Sequence, residues 1–404
     1  MSLIIGPRQA GKTTLMLQLK DYLEKQGERT LFLNLDFEQD KPFFASQTAL
    51  LSRMRLEFGK KKGYVFIDEI QRKENAGIFL KGIYDFQIPH KLIISGSGSV
   101  ELKEKIHESL TGRKRIFELN TVSFKEFVNF RTEYRYEDRL PDFFSVEAEK
   151  AKAFLIEYLN FGGYPRVILA DTLQEKIRLI DEIYSSYIEK DISYLLRVEK
   201  TDVFRNLVKV IASQIGGMVN LTELSSTLGI SIQTVKNYLM YAEKTFIIKR
   251  VTPYYSNIRK EISKAPILYF MDLGLRNYSL GLFGKITLFT EMGFLFQNLI
   301  FHILREKWRY EGTSIHFWRT KDRAEVDFVI NIGKDVFPVE VKCREFKEAT
   351  IGRPLRNFID TYKPKEAWIV NLTFRKEITI NHTLVKFIPF FDLIWFFPQP
   401  VLVS

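Results

Sequence analysis

Gly6-Pro7-Arg8-Gln9-Ala10-Gly11-Lys12-Thr13 satisfies G-x-x-x-x-G-K-[ST] at every fixed position, and it lies between an apolar strand pattern, Leu3-Ile4-Ile5, and a helical pattern opening at Thr14. A strand, a glycine-rich loop and a helix in that order constrain the fold to a parallel α/β sheet. Successive backbone N–H groups in such a loop form an anion nest, and the positive end of the following helix dipole points at the same place. Lys12 is expected to reach the β- and γ-phosphates and the Thr13 hydroxyl to ligate Mg²⁺. The loop, Gly6 to Thr14, is therefore the expected site of a nucleoside triphosphate.

Hydrolysis needs a metal partner and a polarised water. Tyr64-Val65-Phe66-Ile67-Asp68-Glu69 is an apolar run ending in two acids, the pattern of a buried parallel strand whose C-terminal end faces a ligand. Asp68 is expected to organise Mg²⁺ and Glu69 the attacking water. A third strand pattern, Lys91-Leu92-Ile93-Ile94, runs into Ser95-Gly96-Ser97, where Ser97 is placed to sense a γ-phosphate. Arg113, in Thr111-Gly112-Arg113, is a candidate for neutralising transition-state charge, in its own subunit or a neighbour's.

The chain is too long for one ordinary core: 404 residues predict two to four domains. Alternating strands and helices give a parallel sheet with flanking helices over 1–120, and a helical lid and linker follows over 121–205. Within it, residues 131–150 are charge-rich around Pro141 and are expected to form a long loop or hinge. Residues 206–275 hold a helix, a Gly229 turn and a second helix, with Phe246–Val251 and Ile267–Phe270 able to pair as a wing; this is the pattern of a winged helix-turn-helix. If it contacts DNA, Gln233, Thr234, Lys236 and Asn237, with Ser231, face bases and phosphates, and Lys249, Arg250, Arg259, Lys260 and Lys264 supply the basic wing. Winged helices also dock proteins, so a protein partner or a second copy of the chain stays open.

Residues 276–404 carry a second possible chemistry. Asp327, a turn at Gly333, and Glu340-Val341-Lys342 have the spacing of a restriction-endonuclease-like α/β core. Side chains repeat every two residues along a strand, so Glu340 and Lys342 share a face. Asp327 and Glu340 would bind a second Mg²⁺, and Lys342 would stabilise the water or the scissile phosphate. A salt-bridged strand pair has the same pattern.

Composition narrows the setting. Lys and Arg exceed Asp and Glu by a net +11, which favours a polyanionic partner, nucleic acid being the expected one. A single cysteine, Cys343, excludes an internal disulfide and fits a reducing, cytoplasmic location, as does the lack of a secretory pattern. The aromatic tail from Phe387 is interrupted by Pro389, Asp392, Pro398 and Pro400; it is expected to be a strand and a docking segment rather than a membrane span.

In this order the motifs resemble the predicted bacterial and archaeal AAA-type ATPases that end in a domain of unknown function related to restriction endonucleases. The resemblance rests on Gly6–Thr14, Phe66–Gln71, Ile94–Ser97, Leu110–Arg113 leading to Ser123-Phe124-Lys125-Glu126-Phe127, Gly162-Gly163-Tyr164-Pro165, Tyr187–Ile192, Trp318-Arg319-Thr320 and Glu325–Lys342. It implies a P-loop ATPase domain, a helical and winged-helix middle and a nuclease-fold end. It also implies ATP as the nucleotide, since no motif here reads guanine. Two features depart from the family. The first strand begins almost at Met1, so part of the base pocket is expected to be missing or supplied elsewhere. Gln297 stands where the family's helix bears a Glu; an amide ligates a metal more weakly than a carboxylate, and Glu291 lies about 120° around the helix from it.

Overall fold

The computed structural model describes residues 1–97, 112–187, 201–255, 265–287, 292–308, 313–320, 322, 324–333 and 335–395. The Ser97 side chain, Arg259, Lys260, Lys264, Glu291 and the tail beyond 395 lie outside the described residues.

The first unit is a five-stranded parallel sheet: β1 Ser2–Gly6, β2 Thr30–Asn34, β3 Tyr64–Asp68, β4 Lys91–Ser97 and β5 Arg115–Glu118, in the order β2-β3-β4-β1-β5. The inner strands read as near-continuous apolar runs because helices cover both faces. Met16 and Phe66 are buried beneath one face, and Leu50, Met54, Leu80 and Ile83 beneath the other. Since all five strands are parallel, every C-terminal end emerges at one edge. The register pairs Gly6 with Ser97, Ile67 with Ile94 and Asn34 with Asp68, so the loop after β1 and the acids after β3 meet there.

Residues 131–150 are not the long loop their charge suggested. Leu140–Val146 is a helix with Pro141 in its first turn, where the missing N–H costs nothing. Leu140, Phe143 and Phe144 bury one face of it, and Phe144 stacks on Phe391 at 5.0 Å. Spacing of apolar side chains outweighed the charge of their neighbours. The tail is thereby docked: Phe390–Trp395 is a helix laid on this aromatic cluster.

Helices Ala148–Phe161, Pro165–Leu169 and Leu173–Ser186 lead to Thr201–Ser213, then to Leu221–Leu228 and Ile232–Lys244 with an antiparallel β6–β7 pair, Ile248–Val251 and Ile267–Phe270. The C-terminal sheet is mixed, in the order β12-β13-β11-β10-β9-β8: β8 Thr313–Arg319, β9 Glu325–Ile332, β10 Asp335–Val341, β11 Glu366–Asn371, β12 Lys376–Ile380 and β13 Thr383–Pro389. One apolar core runs from Phe124 to Leu393, so the helical middle and one face of this sheet share buried side chains across residues 205 and 275.

Asp272 joins the units. Buried at the N-terminus of the helix Leu273–Ser279, it accepts the N–H of Leu275 at 2.9 Å and that of Gly163 at 2.8 Å. Burial pushes its pKa up to about 6, against the pull of those donors and the Thr121 hydroxyl. A carboxyl with a raised folded-state pKa favours folding most when protonated, and that contribution is lost as pH rises through about 6. Wild-type protein is therefore expected to gain roughly 1–1.5 kcal/mol over Asp272→Asn between pH 7.5 and pH 5 in urea unfolding. Parallel pH dependences would refute this.

Candidate nucleotide site and C-terminal acidic cluster

The phosphate loop takes its shape from two glycines. A Cβ at Gly6 would sit 2.0 Å from the Leu119 carbonyl oxygen, and Gly11 adopts φ 96°, a left-handed conformation that costs glycine little. Gln9 is also left-handed, at φ 56°. The helix Lys12–Lys25 starts directly from Gly11 and has no side-chain cap. Lys12 is buried, and its Nζ turns back to the Gly6 and Pro7 carbonyls at 3.1 and 2.7 Å.

Asp68 is the hub of the acidic side. It is 1 % exposed. Its Oδ2 accepts from the Thr13 hydroxyl at 2.7 Å and, at 3.4 Å, from the Asn34 amide, while its Oδ1 accepts from the Ser95 hydroxyl and the Glu69 N–H. Thr13 and Asp68, 55 residues apart, thus present adjacent oxygens, an arrangement that fits an octahedral Mg²⁺ held largely through water. Glu69 sits in a left-handed conformation at φ 57° and accepts from the Gln71 amide. Burial, and then the neighbouring Asp68 charge, raise its pKa. That moves a carboxylate toward the range in which it can take a proton near neutral pH.

Ser95 and Asn34 are components the motifs did not name. Ser95 closes the apolar run of β4; Asn34 is the polar end of an apolar strand in register with Asp68. Both signals were in the sequence, but only strand order shows which carboxylate they serve.

Arg113 is not at this edge. It precedes β5, its carbonyl accepts from the Met1 amino group at 3.2 Å, and its guanidinium pairs with Asp85 at 3.4 Å beneath Tyr84. The whole length of β1, on the order of 15 Å, separates it from the loop. This structure therefore does not bring Arg113 to the phosphate loop of its own chain. In a parallel sheet, the start of a strand and the end of its neighbour lie at opposite edges.

In residues 206–275, Ser231 caps the helix Ile232–Lys244 by accepting the Thr234 N–H, and the Thr234 hydroxyl lies 2.8 Å from it. Gln233 and Asn237 are exposed and bonded to each other at 3.1 Å; Lys236 is exposed. Lys249 and Arg250 are paired with Glu243 at 3.0 and 2.6 Å. Burial opposes the Glu243 charge, but the two cations outweigh it and hold its pKa below the usual range. The expected basic wing is to this extent internally neutralised, because β6 runs beside the end of that helix.

The C-terminal residues do converge. Asp327 Oδ1 accepts from Gln297 Nε2 at 2.9 Å, and Oδ2 accepts the Val341 N–H at 2.7 Å. Lys342 Nζ lies 2.7 Å from Glu340 Oε1, while Glu340 Oε2 is buried without a hydrogen-bond partner. Burial pushes Asp327 up to about 7. Burial opposes the Lys342 charge, yet Glu340 keeps its pKa raised. An orphaned carboxylate oxygen suits a cation, but the set is two carboxylates and an amide; among the described residues no three His, Cys, Asp or Glu side chains group as metal ligands.

Three family models match in sequence. Residues 1–128 match an AAA domain, 152–285 a domain of unknown function, DUF8612, and 292–391 another, DUF4143. An uncharacterized protein of Haemophilus influenzae is 28% identical over 84% of this chain and 82% of its own. One of Methanocaldococcus jannaschii is 27% identical over 96% and 87%. Among solved structures, a RuvB variant of Thermotoga maritima is 20% identical with a TM-score of 0.26, over 62% of this chain and 81% of that one. AMPPCP-bound DnaA from Aquifex aeolicus is 18% identical with a TM-score of 0.24, over 60% and 81%. At such TM-scores the assignment rests on the sheet itself and the matched domain. No helix among the described residues is long and apolar enough to cross a membrane. Residues 1–128 have the P-loop fold and match an AAA domain, and the remainder matches two domains to which no function is attached.

Proposed function

We propose that the chain binds ATP with Mg²⁺ at Gly6–Thr14, hydrolyses it, and uses the cycle as a switch on its middle and C-terminal regions, which contact DNA. One observation carries the reading: the glycine-rich loop, the Thr13–Asp68 pair and the raised Glu69 carboxyl share one edge of the sheet. Thr13 and Asp68 would hold the metal, whose charge offsets that developing on the phosphates. Lys12 exchanges its loop carbonyls for phosphate oxygens, Glu69 orients and deprotonates water, and the Ser95 and Asn34 bonds keep Asp68 aimed. Arg113 serves the site of a second copy. The proposed units are 1–120, 121–205, 206–275 and 276–404, in a cytoplasmic setting.

Turnover with and without duplex or single-stranded DNA, at fixed moderate salt, tests the switch. Stimulation by DNA is expected, and Glu69→Gln is expected to retain ATP binding while losing about 10²–10⁴-fold in turnover. Indifference to DNA would point to a protein partner as the input. The orphaned Glu340 oxygen beside Asp327 favours a second reading, Mg²⁺-dependent phosphodiester cleavage. It predicts cleavage lost in Asp327→Ala and Lys342→Ala, and intact DNA after prolonged incubation would sink it.

A further inference from the structure

The outer half of the phosphate loop is held from outside its own domain. The Arg8 N–H donates to the Tyr187 hydroxyl at 3.1 Å, across 179 residues of sequence. Tyr187 is the C-cap of the helix Leu173–Ser186, and its hydroxyl lies 3.1 Å from that of Tyr164, which starts the helix Pro165–Leu169. Both tyrosines are 1 % exposed. One residue along the loop, Gln9 Oε1 accepts from Arg166 Nη1 at 3.0 Å, and Arg166 also reaches Glu182 at 3.2 Å. Two elements of the middle region therefore grip neighbouring loop residues, Arg8 by its backbone N–H and Gln9 by its side chain, at the point where Gln9 turns left-handed.

The two grips differ in physical character. Arg166, Gln9 and Glu182 form an exposed contact that water can replace at small cost. Both phenols are buried, and burial drives the Tyr164 pKa well above its ordinary value. A buried hydroxyl that loses its partner has no water to turn to, so its bond resists loop movement or moves with it. The helix ending in Tyr187 is itself coupled onward. Tyr184 packs on Tyr278 at 5.5 Å, the Tyr278 hydroxyl donates to Asp181 at 2.5 Å, and Arg276 of the same short helix donates to the Ala212 carbonyl at 3.0 Å, in the helix Thr201–Ser213.

We propose that Tyr187 is a positioning residue for the triphosphate: its hydroxyl sets the Arg8-Gln9 conformation, and the buried Tyr164–Tyr187 contact passes loop movement to the helices 165–169 and 173–186. This rests on the reading of Gly6–Thr14 as a triphosphate site. Tyr187→Phe removes one oxygen atom and leaves the ring in place. Its Kd for a non-hydrolysable ATP analogue with Mg²⁺ is expected to rise about 5- to 15-fold, the equivalent of one lost hydrogen bond. Analogue-induced changes in amide hydrogen exchange over 162–186, present in wild type, are expected to disappear. Tyr164→Phe leaves the Arg8 bond intact, so its Kd stays within about threefold while the exchange response is still lost; it decides the matter if Tyr187→Phe does not fold. If both variants bind and respond like wild type while Lys12→Ala does not bind, the coupling is wrong and the nucleotide reading stands. Wild type that fails to bind the analogue overturns both.

Discussion

Lys12→Ala is expected to lower ATP turnover by about 10²–10³-fold, the loss typical of removing one preorganised donor to developing charge. Here the donor is prearranged. Lys12 is buried, with its Nζ held 2.7–3.1 Å from two carbonyls of its own loop, so the ammonium already sits inside the curve that a phosphate chain would follow. The carbonyls do not neutralise it, so exchanging them for phosphate oxygens gains a charge–charge interaction in a site partly closed to water. Alanine leaves the strand, the glycines and the helix of the loop in place, and circular dichroism should be unchanged. Phosphate release at saturating Mg²⁺, beside calorimetric ATP binding, measures the effect. Turnover equal to wild type would remove the loop from the chemistry.

Arg113→Ala should be as damaging, for a reason that needs two molecules. An arginine supplied to a phosphoryl-transfer site contributes about 10³–10⁵ in rate. Arg113 lies at the opposite edge of the sheet from its own loop and is tied there to Asp85, so loss of turnover with intact ATP binding means that it serves a neighbour. Mixing Arg113→Ala with Lys12→Ala should then restore activity that neither has alone, because a good loop meets a good arginine at some junctions. Specific activity of wild type should also rise with protein concentration. No rescue on mixing, with activity independent of concentration, would make Arg113 a structural cation paired with Asp85.

The legible parts of the site were those carried by contiguous residues. The phosphate loop and the strand ending in Asp68-Glu69 are local, since backbone geometry and alternation act over a few residues. Serines after β4 were visible as a pattern, but only strand pairing sets Ser95 against Asp68. Charge misled around Pro141, where composition was read without contacts and the residues form a helix on an aromatic core. Contacts likewise set Lys249 and Arg250 beside Glu243, which no local pattern announced. The Tyr187–Arg8 contact left no sequence signal, because nothing in either segment specifies the other.

By itself, the sequence determined that a phosphate-binding loop follows a buried parallel strand, that two acids end another, and that Asp327 and Glu340 lie on paired strands. These follow from spacing, side-chain alternation and the conformational freedom of glycine, all short-range effects. Only the tertiary structure decided that Arg113 faces away from its own loop, that Asp68 gathers Thr13, Ser95 and Asn34, and that buried tyrosines of the middle region hold the loop. Strand order and helix packing place those groups, and both are set by burial of apolar surface over the whole chain, which no local pattern encodes.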